Sequence, residues 1–258
     1  MPKINVDRRL QAAVQAYWDA RSSNQAKQRS SGRTDAGSRG EVTGGTQMAA
    51  IEALIVDILC EAGLKRLHIR TSTQLELPGY FRATKKWDLL AVADGRLVMA
   101  MEFKSQAGKS IGNNVNNRTE EAVGSATDLW TAYREGRLGP PLPRPFLGYL
   151  FLLEDHAGVN RPVANKEPHF PVDPAFRGTA LVSTDPAKPR HAGISYAERY
   201  ALLCRRLVLE RAYSATCFLM ATNAPRSVIT QPDPDLSFAH FIAALRSHAS
   251  AFVATQAP

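Results

Sequence analysis

Glu102 and Lys104 stand two residues apart at the end of an otherwise apolar run, Leu97 to Met101. In a β-strand side chains alternate, so both would point to one face. Charges at the end of an apolar strand are costly unless they reach a cleft or each other. Asp88 opens the preceding run, WDLLAVA, giving the pattern D-x13-E-x-K. These residue types suit hydrolysis of a phosphodiester. Two carboxylates and a main-chain carbonyl, taken as that of Phe103, offer Mg²⁺ hard oxygen ligands and leave positions for water and phosphate. Lys104 would orient or help deprotonate the attacking water and offset developing negative charge. A strand-end salt bridge between Glu102 and a neighbouring base would produce the same short pattern.

The loop between the two runs decides whether these side chains meet. A two-residue turn at Asp94-Gly95 pairs Ala93 with Arg96 and Asp88 with Met101, which turns Asp88 away from Glu102. A three-residue loop with Gly95 left-handed in a bulge pairs Asp88 with Ala100 and brings Asp88, Glu102 and Lys104 to one face. A hydrolytic site therefore needs the odd loop or a bulge, against the commoner local preference.

The elements around this hairpin follow from periodicity. Residues 7–21 read as a helix, with Leu10, Val14, Tyr17 and Trp18 at helical spacing. Residues 22–45, rich in Ser, Gly, Gln and Arg, read as a basic flexible loop that either wraps a polyanion or hangs loose. A helix over 46–64 carries the stripe Met48, Ile51, Ile55, Ile58 and Leu59 and ends at Gly63. Strands are predicted at 67–73, 87–93 and 97–104, a polar turn at 108–117 and a helix over 118–135. Prolines 140, 141, 143 and 145 stop that helix before the apolar strand PFLGYLFLLED. A Pro-rich irregular insertion over about 156–190 precedes helices at 195–211 and 236–253, which flank a strand at 215–221. Ser195, in GISYA, reads as a helix cap and not as a nucleophile, since no second glycine follows. The order from 46 to 155 is helix, three strands, helix, strand. This predicts an α/β fold with a mixed sheet flanked by helices, in a single domain over 1–258.

Composition narrows the function classes. The net charge of +8, from 32 basic and 24 acidic residues, suits a polyanionic partner such as nucleic acid. Three cysteines without a CxxC pair and six scattered histidines argue against a disulfide framework and against a zinc site. No apolar run approaches the roughly 18–20 residues of a membrane span, and the first residues lack a secretory leader. A reducing cytoplasm and no membrane partner are expected.

Several polar residues are candidates for touching a nucleic acid. Asn113, Asn114, Asn116, Asn117 and Arg118 follow the Glu102 strand, where Asn suits adenine, Arg suits guanine, and a helix entry suits phosphate. Alternatively, Asn117 caps the helix and the other asparagines form turns. Arg82, Lys85 and Lys86 precede Asp88 and are expected to clamp phosphate or to be plain solvated charge. Glu120 and Glu121 suit the helix dipole, with Glu121 also within reach of the site.

The chain resembles the XhoI-type restriction endonucleases of the broad PD-(D/E)xK nuclease group. The resemblance runs from about Tyr17 to Met220. It is carried by YWDARSS, LPGYFRATKKWD, EFKS, GNNVNNRTEEAVGSATDLWTAYREG, EPHFPVDPAFRG and RYALLCRRLVL. It implies that Asp88, Glu102 and Lys104 take the group's metal and catalytic roles with Mg²⁺. Trp87 stands where the group's name has proline. Double-stranded DNA would be the substrate, cut at the palindrome CTCGAG to leave 5′ overhangs, with a DNA methyltransferase as functional partner. A palindrome has two identical half-sites, and one catalytic set cuts one strand, so a two-fold homodimer is expected. Some nucleases of the group hold a further carboxylate on the helix that carries Glu52; pairing with a nearby Lys or Arg is the commoner role for such a residue. Other functions for the same residues are a structure-selective or repair nuclease and a non-catalytic DNA-binding protein.

Overall fold

The computed structural model describes residues 6–30, 47–108, 111–140, 143–167, 169–181 and 191–256. At its centre three parallel strands lie side by side: β5 (Arg96–Gln106), β6 (Phe146–Glu154) and β10 (Ala215–Ala221). Helices cover both faces, so β6 is a continuous apolar run, FLGYLFLLE, without alternation. Antiparallel strands complete the six-stranded mixed sheet: β4 (Leu89–Ala93) on β5, β1 (Ile69–Arg70) on β4, and β11 (Ile229–Thr230) on β10.

One face packs against α1 (Val6–Ser30), α2 (Ala49–Glu61) and α5 (Phe238–Ala254). Trp18, Ile51, Ile55, Phe241 and Leu245 meet Leu89, Met101 and Leu150 there. The other face packs against α3 (Ile111–Arg134) and α4 (Tyr196–Leu209), where Ala122, Leu129, Tyr200 and Cys204 meet Leu90, Ala100, Tyr149 and Phe151. Glu102 and Lys104 project towards this second layer, because they share the parity of Ala100.

The predicted order helix, three strands, helix, strand is present as α2, β1, β4, β5, α3 and β6. Between β1 and β4 lies a two-stranded sheet outside that order: β2 (Glu76–Pro78) and β3 (Thr84–Lys86), with Leu77 opposite Lys85. Several elements differ from the expected ones. Helix α1 runs to Ser30, through the first part of the expected loop, because Gln, Ala, Lys and Arg are good helix formers and no glycine interrupts them before Gly32. The rest of that loop, 31–46, lies outside the described residues. Helix α3 starts at Ile111, so the asparagines occupy its first turns and Asn117 is not its cap. Buried Ile111 and Val115, four apart, anchor this end and override the poor helix propensity of Asn.

The expected strand at 67–73 shrinks to two residues behind a 3₁₀ turn, Arg66–His68, with Leu67 turned to solvent. Finally, the Pro-rich insertion holds a helical turn, Ala157–Asn160, and a three-stranded sheet of β7 (Pro162–Ala164), β8 (Arg177–Leu181) and β9 (His191–Ser195) in the order β7-β9-β8. Such short strands are hidden by prolines, which are tolerated where a strand begins; 182–190 lie outside the described residues. Ser195 caps α4, in a reciprocal capping box with Glu198. The three cysteines are free. Among the described residues no helix is long and apolar enough to cross a membrane.

Candidate active site

The β4–β5 hairpin settles the parity question by combining both devices. Its turn has two residues, with Asp94 and Gly95 both left-handed at φ 51° and 72°, and Ala93 pairs with Arg96. The register then shifts between Ala91 and Val92, because Val92 pairs with Leu97 while Ala91 pairs with Met99. Val98 is the extra residue, and it packs into the same core layer as Met99. Its carbonyl meets His248 Nε2 of α5 at 3.0 Å. Beyond the bulge Leu89 pairs with Met101, so the next step sets Asp88 opposite Glu102. The expected partner, Ala100, pairs with Leu90 instead. Asp88, Glu102 and Lys104 nevertheless share one face.

Glu102 is 3% exposed. Its Oε1 lies 2.7 Å from Lys104 Nζ and 3.4 Å from Lys85 Nζ, while its Oε2 is buried without a hydrogen-bond partner. Burial pushes this carboxyl up, but the ammonium groups of Lys104 and Lys85 outweigh it and hold the group below the ordinary carboxylate range. Asp88 Oδ2 accepts the Phe103 N–H at 2.7 Å. Here burial wins: the Asp88 carboxyl is raised, despite that hydrogen bond and the Lys104 charge. Burial alone would lower the Lys104 ammonium, yet Glu102 and Asp88 raise it further, so it keeps its proton. The buried Tyr213 hydroxyl, which borders Glu102, donates to the Ala122 carbonyl at 3.1 Å.

Two further carboxylates border this cluster. Glu121 Oε2 is 3.8 Å from Lys104 Nζ and accepts from Arg118 at 2.7 Å, so charges alternate from Arg118 through Glu121 and Lys104 to Glu102. Glu52 on α2 is raised to about 7, first by burial and then by the charge of Asp88. The Thr71 side chain and the Arg66 charge pull the other way without cancelling this rise. Among the described residues no three or more His, Cys, Asp and Glu side chains gather closely enough to hold a metal by themselves. A set of two carboxylates and the Phe103 carbonyl does not require such a cluster, and the partnerless buried oxygen of Glu102 is a donor suited to a hard cation.

A chain with this hairpin site has known relatives. The family model for restriction endonuclease XhoI matches residues 27–230. The chain belongs to the XhoI restriction endonuclease family. The type II restriction enzyme BstVI of Geobacillus stearothermophilus is 42% identical over 230 residues, 86% of this chain and 94% of that protein. AbrI of Azospirillum brasilense, also a type II restriction enzyme, is 50% identical over 165 residues, covering 64% of this chain and 73% of its own. The type II restriction enzyme XhoI of Xanthomonas vasicola is 43% identical over 206 residues, 79% of this chain and 76% of that protein. No solved structure matches.

The remaining candidates of this XhoI-family endonuclease divide by position. Asn113, Asn116 and Asn117 are exposed on the first turns of α3, whereas Asn114 Nδ2 donates to Gln106 Oε1 at 2.9 Å and ties the helix to the end of β5. Lys86 is exposed. Lys85, its neighbour, turns inward onto Glu102. Arg82 Nε lies 2.8 Å from Asp128 Oδ2. Asp128, on α3 and 2% exposed, was missed in the sequence; its Oδ1 also accepts the N–H groups of Tyr80 and Phe81 at 2.8 and 2.7 Å, and so fixes the loop between β2 and β3. The signal was a lone carboxylate among Ala126, Leu129 and Trp130, a position that demands donors.

Proposed function

We propose that this endonuclease hydrolyses both strands of double-stranded DNA at a short palindrome, CTCGAG, leaving 5′ overhangs. It would act as a homodimer whose subunits are each a single PD-(D/E)xK domain over 1–258, alongside a DNA methyltransferase in a bacterial cytoplasm. The observation that carries the reading is the bulged register, which sets Asp88 opposite Glu102 with Lys104 on the same face. Mg²⁺ would be held by the carboxylates of Asp88 and Glu102 and the Phe103 carbonyl, and when bound it polarises the phosphate and acidifies water.

The chain's own groups do the rest. The Phe103 N–H fixes the Asp88 carboxylate through Oδ2. Lys104 keeps its proton, so it orients water and offsets charge on the phosphate as a donor, in preference to accepting a proton. Arg82, Lys85 and Lys86 meet phosphates, and Asn113, Asn114, Asn116, Asn117 and Arg118 face the groove beside the site. Glu121 steadies Lys104 and Arg118, while Glu52 is the accessory carboxylate next to Asp88.

Plasmid incubated with the purified protein and Mg²⁺, followed by sequencing of the fragment ends, tests the reading. Every break is expected at one palindrome with staggered 5′ ends. Breaks at unrelated sequences or at branch points would make it a structure-selective nuclease instead. Mixed dimers of wild-type and Lys104→Ala subunits should accumulate nicked circles; double-strand breaks from a strict monomer in one encounter would refute the dimer.

A further inference from the structure

Lys85 does not sit where a permanent phosphate clamp would. Its side chain is 12% exposed, with Nζ 3.4 Å from Glu102 Oε1 and 4.3 Å from the centre of the buried Trp87 ring. The adjacent Lys86, on the other side of the same strand, is exposed. The fold therefore spends an aromatic face and a buried carboxylate on holding this one ammonium inside the site.

The charge balance gives that placement a consequence. Asp88 and Glu102 carry two negative charges, and Lys85 and Lys104 two positive ones; Arg118 is answered by Glu121 at 2.7 Å. Two ammonium groups crowd one oxygen of Glu102 while the other has no partner. A divalent cation approaching Asp88 and Glu102 meets two carboxylates already balanced by two lysines, one of them seated on its principal ligand. A scissile phosphate changes this, because it offers Lys85 another anion within the sweep of a flexible four-carbon stem.

We infer that Lys85 is a counter-ion that occupies Glu102 in the DNA-free enzyme and passes to the scissile phosphate on DNA binding, so that metal loading depends on DNA. The inference rests on the proposed reading of Asp88 and Glu102 as metal ligands. Its effect is to leave the site without a metal away from DNA. Lys104 cannot serve the same end: its Nζ is closer to Glu102, at 2.7 Å, and Glu121 also holds it.

The test is calorimetric titration with Ca²⁺, which takes the same oxygen ligands in looser geometry. Wild type, Lys85→Met, Lys85→Arg and Lys86→Met are each titrated alone and with a CTCGAG duplex. Methionine keeps an apolar stem over Trp87, and Lys86→Met changes the net charge equally. Even fully water-screened repulsion between an ammonium and a dication at about 5 Å amounts to roughly tenfold in affinity. Without DNA, Lys85→Met should therefore bind Ca²⁺ roughly tenfold or more tighter than wild type, while Lys85→Arg and Lys86→Met stay close to wild type. Addition of duplex should tighten wild type by a similar factor and narrow the gap. Thermal melting gives a second readout: Ca²⁺ alone should raise the Tm of Lys85→Met more than that of wild type. If Lys85→Met binds no more tightly than wild type, or Lys86→Met tightens as much, the inference is overturned. If wild type binds no Ca²⁺ even with duplex, or Glu102→Gln binds it as well as wild type does, the metal-ligand reading itself falls.

Discussion

Removal of the Asp128 carboxylate should cost the protein much of its stability through a loop that has little core of its own. Asp128 accepts two main-chain N–H groups, from Tyr80 and Phe81, and the Arg82 guanidinium. Hydrogen bonds to an ionised acceptor contribute about 1.5–3 kcal/mol each. Tyr80 and Phe81 are exposed, so water can satisfy their N–H groups after the loss, which places each near the lower end of that range. The Arg82 pair is half exposed and adds less than about 1 kcal/mol. Asp128→Ala should therefore destabilise the protein by about 3 kcal/mol, or roughly 6–12 °C in Tm for a chain of this size. Asp128→Asn retains an acceptor oxygen but loses the charge, and should lie between. Urea denaturation of the three proteins, monitored by far-UV circular dichroism, reads these differences directly. Because the anchored loop leads into Lys85, DNA affinity should fall with stability. An Asp128→Ala protein within about 1 kcal/mol of wild type would refute the assignment of the loop's rigidity to this carboxylate.

Asp88→Ala, Glu102→Ala and Lys104→Ala should each abolish cleavage with the fold retained; near-wild-type cutting of plasmid under Mg²⁺ by any one would remove that residue from the mechanism. Lys86→Ala should weaken binding to every duplex and flatten the dependence of log affinity on log salt by roughly one phosphate contact; a loss confined to one base position would make Lys86 a base reader. Burial holds the His248 imidazole below its ordinary pKa of 6.5, against the raising effect of the Val98 carbonyl. The unfolded chain therefore takes up this proton first as pH falls, so stability present above about pH 6.5 is lost below it. His248→Gln should lose less stability than wild type between about pH 7.5 and pH 5 in denaturant titrations; equal losses would show that His248 does not set the trend.

The site was legible where chemistry and parity speak through the sequence. The D-x13-E-x-K spacing singled out the three residues that the hairpin brings together, and the conflict between a two-residue turn and a shared face pointed to an irregularity in the hairpin. Which irregularity was not legible, because Val98 and Met99 are both apolar, both pack into the same core layer, and either could stand outside the ladder; only the strand register distinguishes them. The contact of Lys85 with Glu102 was not legible, because alternation within TKK cannot be assigned to a face until β2 is known to pair with it. The start of α3 was misplaced because local propensity favours turns at asparagine, whereas the anchoring of Ile111 and Val115 is tertiary. Helix α1 outran its apolar stripe, which ends at Trp18, because the Gln, Ala, Lys and Arg that follow favour helix and no glycine interrupts them.

The bulge at Val98 also bears on how such sites drift in evolution. Thirteen residues separate Asp88 from Glu102, and apart from the two turn residues one of them, Val98, is outside the pairing. A regular hairpin with the same turn and one residue fewer would set the same two carboxylates opposite each other. Loss of Val98, or its gain in a straight ancestor, would leave the chemistry in place and would cost only the packing of one side chain and the His248 contact. The gap length between the acidic residues is therefore free to change where the face they share is not. A pattern search with a fixed interval would overlook relatives that lack the bulge, and one that conserves face in place of count would find them.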